Sequence, residues 1–127
     1  MALKVELKPN EKIILGNSVI TNGPNRARFY INGDAVILRE KDILTAESAN
    51  TPCKRIYFSI QMFYLSEEEV HDHREYFEQV NEVVTAAPTT LMFIEEINKQ
   101  ILTNNYYKAL KEAKKLIEYE KDLLDNV

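Results

Sequence analysis

The sequence predicts an α+β fold: a small antiparallel β meander at the N-terminus, followed by a C-terminal bundle of three to four helices. Two observations carry this. Up to Leu38 the apolar residues alternate with polar ones in short runs separated by turn dipeptides, the period-2 signature of strands. From Cys53 onward the apolar spacing becomes three-and-four, the signature of amphipathic helices. Residues 1–45 form the strand-rich part and residues 46–127 the helical bundle, expected to make one compact unit.

Taken in order, Leu3, Val5 and Leu7 alternate with Lys4, Glu6 and Lys8 in a first, half-buried strand. Pro9-Asn10 ends it. Lys12 to Leu15 is a second strand closed by Gly16-Asn17, and Ser18 to Ile20 a short third. Thr21 to Asn25 is a turn cluster. Arg26 to Ile31 is a fourth strand, with Arg26, Arg28 and Tyr30 on one face and Ala27, Phe29 and Ile31 on the other. Asn32-Gly33 reads as a two-residue hairpin leading into a fifth strand, Ala35 to Leu38. About 40 residues of strand are too few for a core of their own, so the meander must pack on the helices or on a second copy of itself. Its open edges are natural places for chain-to-chain pairing.

After Arg39, the residues Ile43, Leu44 and Ala46 predict a short helical turn. Ile56, Ile60, Phe63 and Tyr64 share one face of a first long helix. Ser66 to Glu69 has the pattern of a capping box, starting a helix with Val70, His73, Phe77, Val80 and Val84 inward. Ala86-Ala87-Pro88 stops it. Thr89 or Thr90 caps the next helix, with Leu91, Ile94, Ile97 and Ile101 inward. A last helix from about Tyr106 toward Leu124 turns Leu110, Ala113, Ile117 and Leu124 inward. Such helices assemble as an antiparallel bundle.

A chain of 127 residues, 45% hydrophobic and 28% charged, is the size and composition of one globular domain. No apolar run approaches the ~18 residues of a membrane span. The N-terminus MALKVELKP lacks the apolar core of a secretory signal. Cys53 is the only cysteine, which fits a reducing, cytoplasmic compartment. Residues 1–65 carry nine Lys/Arg against six Asp/Glu, and residues 66–127 seven against fourteen. A mildly basic front and an acidic back are compatible with an anionic ligand on the front. The excess does not by itself establish nucleic-acid binding.

Catalytic patterns are missing. There is no phosphate-cradling glycine loop, nucleophile elbow or HExxH pair, so no enzymatic activity, metal or cofactor is expected. His71 and His73, two apart on a helix, would point in different directions and have no further His or Cys partner set for zinc. Glu67 to Glu69 are explained by the helix dipole, and Cys53 by burial of a small thiol. The set that carries chemistry is Lys4, Lys8, Arg26, Arg28 and Arg39, with Phe29 and Tyr30 nearby. Guanidinium groups on strands can bind phosphates and base edges, and aromatic faces can stack unpaired bases. The same residues also fit an ordinary solvated sheet face with scattered cations.

Three blocks, MALKVELKPNEKIILGNSVITN, DAVILREKDILTAESANTPCKRIYFSIQMFYL and ILTNNYYKALKEAKKLIEYEKDLL, resemble the FlbT family of flagellar regulators in the same order. The resemblance covers nearly the whole chain. It implies post-transcriptional control of flagellum biogenesis, by binding the 5′ untranslated region of flagellin mRNA and usually repressing it through decay. Activation stays open as the opposite sign. Residues 1–45 also resemble the CsrA family of small RNA-binding regulators, through Glu11, Ile13-Ile14-Leu15-Gly16, Arg28 to Asn32 and the apolar strand ending in Arg39-Glu40. In that family the arginine ending the last strand contacts RNA, which matches Arg39. A basic residue of the first strand matches Lys8, while the arginine preceding it is replaced by Leu7. Interlocked strands in that family imply a homodimer here, or a sheet completed by the helices. The alternative reading is a non-enzymatic flagellar adaptor or chaperone-like module. It would bind flagellin or another flagellar regulatory protein through the helices and act on flagellin expression indirectly.

Overall fold

A computed structural model describes residues 2–126. It has the α+β class expected: antiparallel strands at the N-terminus, then four helices. The chain divides into two compact units, one ending at Ile43 and the other starting at Leu44.

The strand unit holds five strands. β1 (Ala2–Leu7) pairs with β4 (Ala27–Asn32) along its whole length, from Ala2 opposite Asn32 to Leu7 opposite Ala27. β2 (Lys12–Leu15) lies between β3 (Ser18–Thr21) and β5 (Ile37–Arg39). All pairings are antiparallel, in two small sheets ordered β1-β4 and β3-β2-β5. Gly16-Asn17 closes the β2–β3 hairpin, and Gly16 has φ +64, a conformation that favours glycine. The core is Val5, Leu7 and Ile13, with Leu38 also buried. Phe29, Ile31 and Ile37 pack against it.

Two expectations fail here. Asn32-Gly33 does not close a two-residue hairpin, because β4 and β5 lie in different sheets. Ala35 and Val36 are not in a strand, although the Val36 carbonyl accepts from the Gly16 N–H at 2.7 Å. The reason for both is that β4 is satisfied by β1, leaving β5 to pair with β2. A 3-10 turn at Glu40–Asp42 follows β5, slightly earlier than the helical turn expected at Ile43 to Ala46.

The turn between β1 and β2 is stapled by Asn22. Its Nδ2 donates to the Lys8 carbonyl at 2.8 Å and to the Asn25 carbonyl at 2.9 Å. The Lys8 N–H donates to the Glu11 carboxylate at 2.8 Å, and Asn10 takes φ +63, which asparagine tolerates. Local side-chain to backbone bonds of this kind fix a turn that no ladder supports.

The helical unit contains α1 (Pro52–Leu65), α2 (Arg74–Ala86), α3 (Leu91–Leu102) and α4 (Tyr106–Asp125). α4 packs on α1 and α3, and α1 packs on α2. Ile56, Ile60, Ile94, Ile97, Ile101, Ala109, Ala113 and Leu116 are fully enclosed. Thr51 caps α1 by accepting from the Lys54 N–H, and Pro52 occupies the first turn, where no N–H is needed. A carboxylate from α4 completes this end: Glu120 accepts from the Thr51 hydroxyl and from the Cys53 N–H at 3.0 Å. Buried Gln61 holds the start of the unit, accepting from the Leu44 N–H and donating to the Leu44 carbonyl, both at 2.8 Å.

The expected capping box is absent. Ser66 ends α1 instead of starting a helix, and its hydroxyl accepts from the Glu68 N–H. α2 begins only at Arg74, whose N–H donates to the Asp72 carboxylate at 3.0 Å. The loop before it is held by aromatic contacts instead of helical hydrogen bonds: the Phe63 ring packs against His71, His73 and Tyr106. Val70 is consequently 84% exposed, and α2 buries Val80 as expected but Tyr76 and Val83 in place of Phe77 and Val84. Neither Thr89 nor Thr90 caps α3 at its N–H groups; the Thr90 hydroxyl donates to the Ala87 carbonyl. Leu91 and Leu124, expected inside, are exposed at helix ends.

Candidate nucleic-acid interface

The five basic residues singled out from the sequence come from separate elements. Lys4 lies on β1, Lys8 in the turn after it, Arg26 just before β4, Arg28 on β4 and Arg39 at the end of β5. All five line one open groove of about 1140 Å³ on the strand unit. Lys41, from the 3-10 turn, joins them, and Glu6, Glu11 and Glu40 are the acidic residues of the lining. Six cations against three carboxylates give the groove lining a net positive charge. Sequence reasoning passed over Lys41 and Glu6; the run Arg39-Glu40-Lys41-Asp42 was the available signal for Lys41.

The register of β1 against β4 sets the geometry. Glu6 stands opposite Arg28, and Lys4 opposite Tyr30. Directly opposed residues share a face of an antiparallel pair. The Glu6 carboxylate lies 3.2 Å from Arg28 Nε and 3.5 Å from Lys4 Nζ. The Lys4 ammonium, assisted by Arg28, holds that carboxyl below its ordinary range. These side chains are more than half exposed, so the pairs contribute little to stability and can open to a ligand. Tyr30 is 59% exposed and offers a ring for stacking.

Arg39 is placed differently from the other four. Its Nη2 donates to the Glu6 backbone carbonyl at 2.6 Å, and its Nε is closed off from solvent without a hydrogen-bond partner. Arg39 therefore braces β1 from β5 while its side chain forms part of the groove wall.

The groups set aside in the helical unit have structural surroundings. Burial, reinforced by the Glu120 carboxylate, pushes the Cys53 thiol far above its usual range, so it stays protonated. Asp72 is drawn down to about 2 by its hydrogen bonds with Arg74. His71 and His73 precede α2 and are not part of a helix, with ring centroids 6.4 Å apart. His73 Nε2 lies 3.0 Å from the Tyr106 hydroxyl, and burial lowers the His73 pKa. Among the described residues, no group of three or more His, Cys, Asp or Glu could hold a metal ion, and no helix is long and apolar enough to cross a membrane.

Comparison with known proteins places the chain in a family. The profile described as "Flagellar protein FlbT" matches residues 3–124. The chain belongs to the FlbT family of flagellar proteins. It is 55% identical over 124 residues to the probable flagellum biosynthesis repressor protein FlbT 1 of Bradyrhizobium diazoefficiens, covering 97% of this chain and 85% of that protein. The probable flagellum biosynthesis repressor protein FlbT of Rhodopseudomonas palustris is 51% identical over 124 residues, with 98% of each chain covered. The flagellum biosynthesis repressor protein FlbT of Caulobacter vibrioides is 38% identical over 130 residues, covering all of this chain and 92% of that one. No solved structure matches.

Proposed function

We propose that this chain is a non-enzymatic regulator of flagellar expression that acts in the cytoplasm on flagellin mRNA. Its strand unit binds an unpaired stretch of the 5′ untranslated region, and binding represses expression by promoting decay of the message. Family membership and the repressor names of the relatives support the flagellar regulatory role. The observation that carries the RNA reading is the convergence of Lys4, Lys8, Arg26, Arg28 and Arg39 on one groove beside the exposed Tyr30. Lys4, Lys8, Arg26 and Arg28 would engage phosphates, and Arg39 would add charge while bracing the wall. Mobile single strands suit such a site, because their bases can splay out and stack. Occupancy alone, by blocking ribosomes or exposing the message to nucleases, would suffice for the effect. A homodimer belongs to the same reading: Val19 and Ile20 are exposed on β3, at the outer edge of its sheet. The test is binding of the purified protein to a flagellin leader RNA against a scrambled RNA of equal length.

A second reading is favoured by the exposed apolar residues of the helical unit. Phe93 stacks on Tyr119, and the Tyr119 hydroxyl donates to Thr89, so the start of α3 adjoins the last turns of α4. Leu91, Met92, Leu123 and Leu124 are exposed at those two helix ends. In this reading flagellin or another flagellar regulatory protein docks there, and control of the message is indirect. Recovery of flagellar proteins on the immobilised chain after nuclease treatment would favour it; recovery of RNA alone would count against it.

A further inference from the structure

Within the groove, the acidic residue least expected in a polyanion site is Glu6. Its carboxylate lies on the strand face between Lys4 and Arg28, where it would oppose a phosphate. The other two acidic residues are differently placed. Glu11 accepts from the Lys8 N–H and so builds the turn, and Glu40 starts the 3-10 turn. Glu6 is instead held at its backbone, where Arg39 donates to its carbonyl, while two cations flank its exposed carboxylate. Its side chain nevertheless remains 54% exposed, with acceptor capacity to spare. An ionised, accessible acceptor next to a stacking ring is an arrangement for reading a base edge.

We propose that Glu6 is the specificity-determining group of the groove, accepting the two neighbouring Watson–Crick-edge donors of an unpaired guanine, N1–H and the N2 amino group. This rests on the RNA reading above and deepens it. A carboxylate offers two parallel acceptors, and guanine alone among the four bases presents two adjacent donors on that edge. Cytosine and adenine present one amino group beside a ring-nitrogen acceptor, and uracil one imino group between two carbonyls; each sets an acceptor against the carboxylate. Arg28 and Lys4, on either side, would take the phosphates of the same strand. Tyr30, opposite Lys4 and on the same face, would stack a neighbouring base.

The experiment is fluorescence anisotropy at fixed salt with short, unstructured, U-rich RNAs. One carries a single central guanine, one inosine at that position, which lacks the N2 amino group, and one only uridine. The intact protein should bind the guanine RNA roughly tenfold more tightly than the all-uridine RNA, as one bidentate pair provides, with inosine between them. Glu6→Gln turns one acceptor into a donor. It should abolish the preference for guanine and tighten binding to the all-uridine RNA, because a repulsive charge is gone. The guanine–inosine comparison needs no substitution and does not depend on the variant folding. If the intact protein binds leader RNA without preferring guanine, or if Glu6→Gln keeps the preference, this inference is overturned and the RNA reading stands. If the intact protein binds neither the short RNAs nor the leader at low salt, both fall.

Discussion

Arg39 Nη2 donates to the Glu6 carbonyl at 2.6 Å, joining β5 to β1 across two sheets whose strand ladders are separate. This bond sets the wall of the basic groove, since both residues line it. Removing the guanidinium leaves the Glu6 carbonyl to water and loosens the strand that carries Lys4 and Glu6. Arg39→Ala should destabilise the protein by about 0.5–1.5 kcal/mol, the net range for a hydrogen bond that water can replace. Arg39→Lys should recover part of this. Denaturant unfolding followed by circular dichroism measures it. The same substitution should weaken leader RNA binding; binding as tight as the parent's would remove Arg39 from the interface.

In the RNA reading, Lys4, Lys8, Arg26 and Arg28 act chiefly through charge. Replacing any one by alanine should lower RNA affinity by a similar factor across RNA sequences. It should also flatten the dependence of log affinity on log salt by about one contact. Titrations at several salt concentrations give both quantities. A substitution that changes sequence preference while leaving the salt slope unchanged would show a base contact instead.

Much of this groove was legible in the sequence, and the missing part has a physical cause. The alternation of Arg26, Arg28 and Tyr30 against Ala27, Phe29 and Ile31 placed the cations on one face of a strand. What local pattern could not supply was the partner. β1 meets β4 some twenty residues away, and that pairing puts Glu6 opposite Arg28 and displaces the hairpin expected at Asn32-Gly33. Gly16-Asn17, without the Asn-Gly order, closes a hairpin because its neighbours pair directly. In the helical half the periodicity located α3 and α4 well. The Ser66–Glu69 signal misled because contacts of Phe63 with His71, His73 and Tyr106 override a local capping preference. Those contacts join residues from α1, the following loop and α4.

That aromatic cluster makes stability sensitive to acid. Burial, and then the neighbouring His71 charge, lower the His73 pKa below its ordinary 6.5, with Asp72 opposing. The unfolded chain therefore takes up the proton first as pH falls. The stabilisation is complete above the ordinary value and is lost as pH drops through the lower, folded value. Unfolding midpoints should fall as pH drops below the ordinary 6.5 in the parent, and by less in His73→Phe. An equal acid dependence in both would show that His73 is not the responsible group.

Glu120 ties α4 to the start of α1 by accepting from the Thr51 hydroxyl and the Cys53 N–H. Glu120→Ala leaves both donors without this acceptor and should cost about 1–3 kcal/mol of stability. It should also speed alkylation of Cys53, whose enclosed, protonated thiol should react slowly in the parent. Thiol labelling under native conditions, compared with labelling in denaturant, reports the change.

The reading proposed above has the strand unit recognise flagellin leader RNA directly. The most direct measurement is binding of the purified protein to that leader and to a scrambled RNA, each at low and near-physiological salt. Direct recognition predicts preferential leader binding that survives moderate salt. Equal, weak binding to both RNAs that vanishes with salt would contradict it and leave the helical unit's exposed apolar end as the regulatory surface.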